Sequence, residues 1–463
     1  MPNHPSTKAV KETLKHMVPA VGIAILAGAL GFTALYASPV PMVQDFGKML
    51  TFGVIISFIA SIFFLIPILF IRDRFFAVES TKKQNRSKGT FEKIMTFITK
   101  RTLKWGPIIL IVAFMLTGLG MIGDTKVGVQ TDVEKFMPQD TPELHDIHIL
   151  REVLGTTDQI VILYEAENVL DDNIIRWVDN KTDSLLTQFP DEIVNTKSIT
   201  SVLKTINKGV LPDPKDIQGQ IQNIPDDQLK LILTEDHKRG VIMIGVKHLE
   251  SADMNTFIKQ LQQNIDSDPE SGLKLTITGK SVLDVEMISA LTTGRFEMTF
   301  LGIGLVFLVL LLVYRHPIKA FVSVLPIGLI IGWSGGLMYV FDFYYTPLTA
   351  TLGALVIGIG TEFTILIMER FYEERKKGIE RHEAIIVATQ KIGKAILASG
   401  LTVIGGFSAL IISDFVILSN FGVMTVLNMT LCLVSTLIVL PPTIVMLDRF
   451  VKTKVQVSKT VKT

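Results

Sequence analysis

Cysteine is almost absent: Cys432 is the single one in 463 residues. That excludes a disulfide framework and a cysteine-rich metal site, and Cys432, set in an apolar run, reads as a small packing residue. Charge is scarce as well. Asp, Glu, Lys and Arg make up 19% of the chain and balance to a formal +1, so no bulk charge points to nucleic acid. There is no Walker A sequence to provide for ATP and no Gly-x-Ser-x-Gly elbow for acyl transfer. His145 and His148 stand close together but lack an acid-rich surrounding, which leaves no metal-ligating set. Neither a cofactor nor enzymatic chemistry is expected. No small-residue cleavage site follows the polar stretch Met1 to Lys15, so the first apolar run reads as an anchor.

What the chain has is apolar length. Hydrophobic residues make up 48% of it, and a mean hydropathy of +0.44 is too high for an ordinary soluble protein. Eight runs, 17–37, 47–71, 105–123, 296–314, 318–341, 347–369, 393–413 and 420–447, reach the roughly 18 to 25 residues that cross a bilayer. Lys and Arg crowd 72–104, Arg315 to Lys319, 370–394 and the tail from Arg449, whereas 38–46, 342–346 and 414–419 have none. Eight crossings put every basic segment on one side, which makes both termini cytoplasmic and 125–290 extracytoplasmic. The chain then divides into two spans (1–75), a basic cytoplasmic loop (76–104), one span (105–124), a polar domain (125–290), five spans (291–450) and a tail (451–463).

The polar domain alternates strands and helices. Gln159 to Tyr164, Ser198 to Val202, Gly240 to Val246 and Leu273 to Thr278 read as strands. Asp171 to Leu186, capped by its Asp, and Ser251 to Ile265 read as helices, with Pro212 to Leu233 helical in two pieces. Lys280 to Leu291 continues as a helix toward the fourth span. The order suggests an α+β fold of ferredoxin-like type.

The two ends of the chain repeat one another. Gly31-Phe32-Thr33-Ala34-Leu35 returns as Gly406-Phe407-Ser408-Ala409-Leu410, Asp45-Phe46-Gly47 as Asn420-Phe421-Gly422, and Asp73-Arg74-Phe75 as Asp448-Arg449-Phe450. The offset is about 375 residues throughout, and Pro67 and Pro442 share it. This suggests a duplicated protein with one copy incomplete. The same offset places the counterpart of Glu362 ahead of Met1, so a missing first half or a second chain is expected to be needed for function.

Glu362 is the chief candidate for chemistry. It lies deep in the sixth run, within Gly358-Ile359-Gly360-Thr361-Glu362-Phe363-Thr364. An acid at that depth is costly and usually handles ions or protons inside a bundle, which suits Glu362 to a proton relay. Gly358 and Gly360 permit close helix approach, and Thr361 and Thr364 can bond across helices. Asn428 stands out by polarity in the eighth run, where Ser435 and Thr436, with Ser399 and Thr402 on the seventh, are further polar positions that could hydrate or bond the acid, or simply satisfy their own backbone. Glu297 is expected to pair locally with Arg295. Glu369, Arg370, Glu373, Glu374 and Arg375 read as a solvated helix end.

This pattern resembles the resistance-nodulation-division (RND) superfamily, most nearly its MMPL-type, hydrophobe/amphiphile efflux-3 branch. Thr131 to Pro142 and Gly155-Thr156-Thr157-Asp158 are similar to the opening of that family's porter domain. Gly358 to Phe363 sits where relatives carry a Gly-rich motif with a buried acid, often Asp-Tyr; Phe363 removes any tyrosine hydroxyl role here. The resemblance implies an α-helical polytopic membrane protein of about eight spans with one extracytoplasmic porter domain. It further implies proton-driven export of hydrophobic or amphiphilic compounds, possibly lipids, with membrane lipids around it and mechanical linkage through 105–123 and 280–314. Two other readings stay open: a non-transporting, sterol-sensing-like lipid-binding protein, and an accessory subunit of protein export similar to SecD and SecF.

Overall fold

Among the described residues, eight helices are long and apolar enough to cross a membrane: span 1 (Val18–Ala37), span 2 (Pro41–Arg72), span 3 (Gly106–Asp124), span 4 (Gly294–Tyr314), span 5 (Pro317–Val340), span 6 (Thr349–Lys376), span 7 (Arg381–Ile412) and span 8 (Val416–Phe450). Each agrees in place with its sequence expectation, because a bilayer-length apolar run has one stable backbone solution in hydrocarbon. These elements come from a computed structural model that describes residues 18–75, 90–130, 132, 134–267 and 273–451. The basic stretch 76–89, the polar start before Val18 and the tail from residue 452 lie outside the described residues, as do Thr131 and Val133. Two units result: Met1–Val129 with Ala290–Thr463, which holds the spans, and Gln130–Ser289.

Span 6 is the enclosed helix of the membrane unit. Of its most apolar window 78% is buried, against none for span 2. Its core residues Val356, Ile357, Phe363, Ile365 and Phe371 pack with Ile327 and Ile330 of span 5 and Met429 and Cys432 of span 8.

The end-to-end repeat is structural as well as sequential. Spans 1 and 7 both close in a 3₁₀ turn, Ala34–Ala37 and Ala409–Ile412. Ser38 N donates to Leu35 O at 3.1 Å and Ser413 N to Leu410 O at 3.0 Å. Val40 N then donates to Ser38 Oγ at 3.1 Å and Phe415 N to Ser413 Oγ at 3.2 Å. Spans 2 and 8 both contain a π turn, Ser61–Leu65 and Ser435–Val439. Pro67 and Pro442 explain it. A proline ring collides with the carbonyl four residues earlier, here Phe63 and Ile438, and a widened turn removes that collision. Phe46 and its equivalent Phe421 meet edge to face, centroids 6.1 Å apart. A residue that touches its own equivalent marks the local two-fold axis between the copies.

Segment 76–104 is more than a loop. Thr90–Lys104 is a helix whose Met95, Thr99 and Thr102 are buried while Phe97 is exposed. Thr99 Oγ1 and Thr389 Oγ1 of span 7 share a hydrogen bond of 2.9 Å. The expected basic loop therefore contains an amphipathic helix docked on span 7.

Gln130–Ser289 contains α1 (Pro142–Leu154), β1 (Asp158–Glu165), α2 (Asp172–Gln188), β2 (Ile193–Lys197), α3 (Ile199–Ile206), α4 (Pro214–Ile221), α5 (Asp226–Ile232), β3 (Arg239–Val246), α6 (Ser251–Asp266) and β4 (Lys274–Thr278). The sheet order is β2-β3-β1-β4, with β1–β3, β1–β4 and β2–β3 all antiparallel. That is the ferredoxin-type arrangement expected. Ile160, Ile162 and Tyr164 of β1 and Ile242, Ile244 and Val246 of β3 alternate into its core. Asp171 holds the N-cap position of α2, but Asn168 Nδ2 donates to its Oδ1 at 2.8 Å and it caps no helix N–H.

The strand expected at Ser198 to Val202 is a correction. β2 lies just before it, and α3 begins at Ile199 because Ser198 forms a capping box: Ser201 N donates to Ser198 Oγ at 3.2 Å, and Ser198 N to Ser201 Oγ at 2.8 Å. Replacing the cap, Ser198→Ala, is expected to cost about 1 kcal/mol, read as faster amide exchange at Ser201. Unchanged exchange there would mean the box holds nothing.

Candidate functional site

Glu362 stands at the middle of span 6, between the buried residues Thr361 and Phe363, and is itself partly accessible. No hydrogen bond or ion pair reaches its carboxylate from the described residues, although it lies on the most enclosed span. Intrinsic propensity is mixed there, Leu and Glu favouring helix and the β-branched residues and glycines opposing it, so the bilayer-length apolar run sets the helix.

The glycines instead set how closely spans pack. A Cβ placed on Gly358 would lie 2.3 Å from the Phe32 ring, and one on Gly28 would lie 2.9 Å from Gly358 O. Spans 1 and 6 thus touch backbone to backbone one turn before the acid. Gly360 is different: its added Cβ would meet Cys432 Sγ and Ile327 at an ordinary 3.4 Å. Cys432 is fully buried and packs there as a small apolar residue. Gly358→Ala should therefore destabilise by about 1–3 kcal/mol, the cost of overpacking. Phe32→Ala in the same chain should recover part of it, and thermal unfolding of both variants checks this.

The polar neighbours divide. Thr364 Oγ1 donates across to Ser323 O of span 5 at 2.9 Å. Thr361 Oγ1 stays on its own helix, donating to Ile357 O at 2.8 Å. Asn428 is fully buried, and neither its Nδ2 nor its Oδ1 has a partner among the described residues. Ser435 Oγ donates to Pro326 O at 3.3 Å. Thr436 is buried, whereas Ser399 and Thr402 lie on the exposed face of span 7, Thr402 Oγ1 bonded to its own Ala398 O at 2.8 Å.

Two charge expectations need correction. Arg295 does not pair with Glu297, which is exposed; residues two apart on a helix point to different faces. Its partner is Asp124, at the end of span 3. Arg295 Nη1 donates to Asp124 Oδ1 at 2.7 Å and Oδ2 at 2.8 Å, and Tyr345 Oη donates to Oδ1 at 2.6 Å. The guanidinium lies 3.7 Å from the Tyr345 ring centroid. Burial pushes the Tyr345 phenol up from its ordinary value, so the hydroxyl keeps its proton and stays a donor. The acid closing one apolar run and the Arg opening the next were the only sequence signal for this cluster.

The C-terminal end of span 6 is not simply solvated. Glu374 is only 3% exposed and accepts from Arg370, from Lys377 at 3.4 Å and from Lys391 of span 7 at 3.0 Å. Arg375 Nε reaches buried Asp448 of span 8 at 3.1 Å. His145 and His148 lie on the exposed surface of α1.

A ferredoxin-type domain inserted between the third and fourth of eight spans, with an acid in a glycine-rich central span, is the organisation of an RND-type membrane protein. The chain belongs to the MMPL family, whose profile residues 152–462 match. It is 26% identical to the putative membrane protein MJ1562 of Methanocaldococcus jannaschii over 74% of this chain and 91% of that protein. It is 30% identical to the trehalose monomycolate exporter MmpL3 of Mycobacterium tuberculosis over 34% of this chain, spanning only 18% of MmpL3. Among solved structures, the hedgehog release protein Disp from the water bear Hypsibius dujardini matches with a TM-score of 0.67 at 10% identity, over 94% of this chain and 59% of Disp.

Proposed function

We propose that this multi-pass membrane protein takes part in proton-driven export of hydrophobic or amphiphilic molecules, lipids included. The observation that carries the reading is Glu362, an acid without a partner among the described residues on the most enclosed span of an MMPL-family bundle. Such an acid is suited to alternate between charged and neutral forms as a proton passes. The name of MmpL3, an exporter of trehalose monomycolate, supports a lipid-like cargo. In this reading both termini face the cytoplasm, Gln130–Ser289 faces outward, and proton movement at Glu362 is coupled to rearrangement of that unit.

The reading includes a complementary membrane segment, from a first half or a second chain. The repeat supports it. A Cβ on Gly31 of span 1 would meet Ile357 of span 6 at 2.9 Å, while one on the equivalent Gly406 of span 7 would meet nothing within 4 Å. The face that span 6 fills on one copy is open on the other.

The test is transport in proteoliposomes holding the full chain, alone and with the membrane fraction it comes from, across an imposed pH gradient. Extrusion of a fluorescent amphiphile that needs the gradient supports the proposal. Saturable lipid binding with no gradient dependence in either preparation would replace it with the sterol-sensing-like reading.

A further inference from the structure

The helix Thr90–Lys104 is held to the bundle by one face only. Met95, Thr99 and Thr102 on that face are buried. Beside the Thr99–Thr389 hydrogen bond, Gln390 Nε2 of span 7 donates to Thr96 Oγ1, and a Cβ placed on Gly393 would lie 3.3 Å from Met95 Sδ. Contacts at three positions stop the helix from rolling, so the face opposite is fixed as well. Two rows at helical spacing stand there. Lys93, Phe97, Lys100 and Lys104 form one, and Ile94 and Arg101 the other. Trp105 continues the second row, its N donating to Arg101 O at 3.2 Å. Every residue of both rows is exposed.

This outer face mixes apolar surface with unanswered charge. Phe97 is 71% exposed, Ile94 49% and Trp105 44%. Lys93, Lys100, Arg101 and Lys104 stand among them, and no carboxylate pairs with any of the four among the described residues. Arg101 lies over the Trp105 ring, 5.7 Å from its centroid. Glu92 is the one acid of the helix, and it stands in line with Met95, Thr96 and Thr99 on the docked side. Exposed rings among free cations suit a surface that offers hydrocarbon and negative charge together, the boundary of an anionic bilayer. Trp105 sets the depth. It breaks the helix at φ −101° and ψ 14°, and span 3 begins at the next residue, Gly106. The indole therefore stands where the chain enters hydrocarbon, a level tryptophan favours. Phe97 and Ile94 lie on the same side of the helix, two and three turns back.

We propose that the outer face of Thr90–Lys104 is a docking site for anionic phospholipid. Ile94, Phe97 and Trp105 enter the acyl boundary, while Lys93, Lys100, Arg101 and Lys104 reach back to hold lipid phosphates. Because the helix is docked on span 7, the lipids it gathers are held at a fixed place beside the bundle. The site concerns lipid around the protein and not cargo within it, so it stands whether or not protons pass at Glu362.

The experiment is quenching of Trp105 fluorescence by brominated lipid, with the full chain in nanodiscs. The chain has three tryptophans, so Trp177→Phe with Trp333→Phe leaves Trp105 alone. The quenching that the otherwise native chain loses on Trp105→Phe gives the same signal a second way. One set of phosphatidylcholine discs carries dibrominated phosphatidylglycerol as a minor component, and the other carries dibrominated phosphatidylcholine at the same fraction. Both lipids should quench, with the relative association constant favouring phosphatidylglycerol about fivefold or more, the worth of one lysine at an anionic surface. Added salt should shrink that ratio toward unity, since a shorter Debye length screens exposed charge. Lys93→Gln with Lys100→Gln and Lys104→Gln should remove most of the preference while brominated phosphatidylcholine still quenches, which shows the helix still in place. No quenching by either lipid would put this face in water or against a protein and overturn the proposal. Equal association of the two lipids, or a preference that survives the triple substitution, would overturn it as well.

Discussion

Glu362→Gln is expected to abolish gradient-dependent extrusion, by about a hundredfold or more, while the protein still inserts and folds. Glutamine matches the acid in size and polarity but cannot take up and release a proton, and positioned proton-transfer groups are typically worth about 10²–10⁴ in rate. Because no described residue bonds the carboxylate, the substitution breaks no ion pair, so unfolding temperature should hardly move. Glu362→Asp keeps a titratable group one methylene back and should fall between the two. The comparison separates a relay from a structural acid. A structural acid would show its loss in stability with both variants and leave the gradient dependence intact. Full flux in Glu362→Gln would sink the relay.

Asp124→Ala should give the largest loss of stability of any substitution considered, about 3–5 kcal/mol, the cost of leaving one charge of a buried pair uncompensated. Arg295 would remain against Tyr345 with its charge unanswered, and Tyr345 Oη would lose its acceptor. Removing both charges, Asp124→Ala with Arg295→Leu, should cost less than Asp124→Ala alone, since nothing ionised is then left behind. Thermal unfolding of the three variants in nanodiscs decides it. A single-variant loss below about 1 kcal/mol would place the pair among solvated surface bridges.

The spans were legible because hydrocarbon imposes one requirement, bilayer-length apolarity, that a single sequence displays. The ferredoxin-type sheet was legible for a related reason: the β-rich apolar run Gln159 to Tyr164 and the alternation in Leu273 to Thr278 each record a strand. Ser198 to Val202 misled because its β-branched residues favour a strand although Ile199 and Val202 stand at helical spacing, and the box there uses Ser201 where Glu or Gln is the usual sign. The helix Thr90–Lys104 was hidden under its own basic charges, which orient the chain whether helical or not. In the membrane unit, sequence reasoning found the acid on span 6 and the close approach at Gly358. It missed the partner of Arg295 and the burial of Glu374 and Asp448, because these depend on which spans lie side by side. Composition along one helix holds no record of that. Thr361 and Thr364 look alike in sequence, yet only Thr364 bonds another span.

The matched π turns of spans 2 and 8 bear on history. A π turn is a local surplus of chain that helices otherwise shed, and it is uncommon enough that the same irregularity at the same place in two copies has one economical origin. The bend existed in the ancestral segment before that segment was copied. The two ends of the chain have since diverged in most of their side chains, as Gly53 against Asn428 illustrates, but neither has straightened. The π turn and the proline that imposes it have outlasted most of the chemistry around them, which identifies that pair as the inherited trait of this repeat.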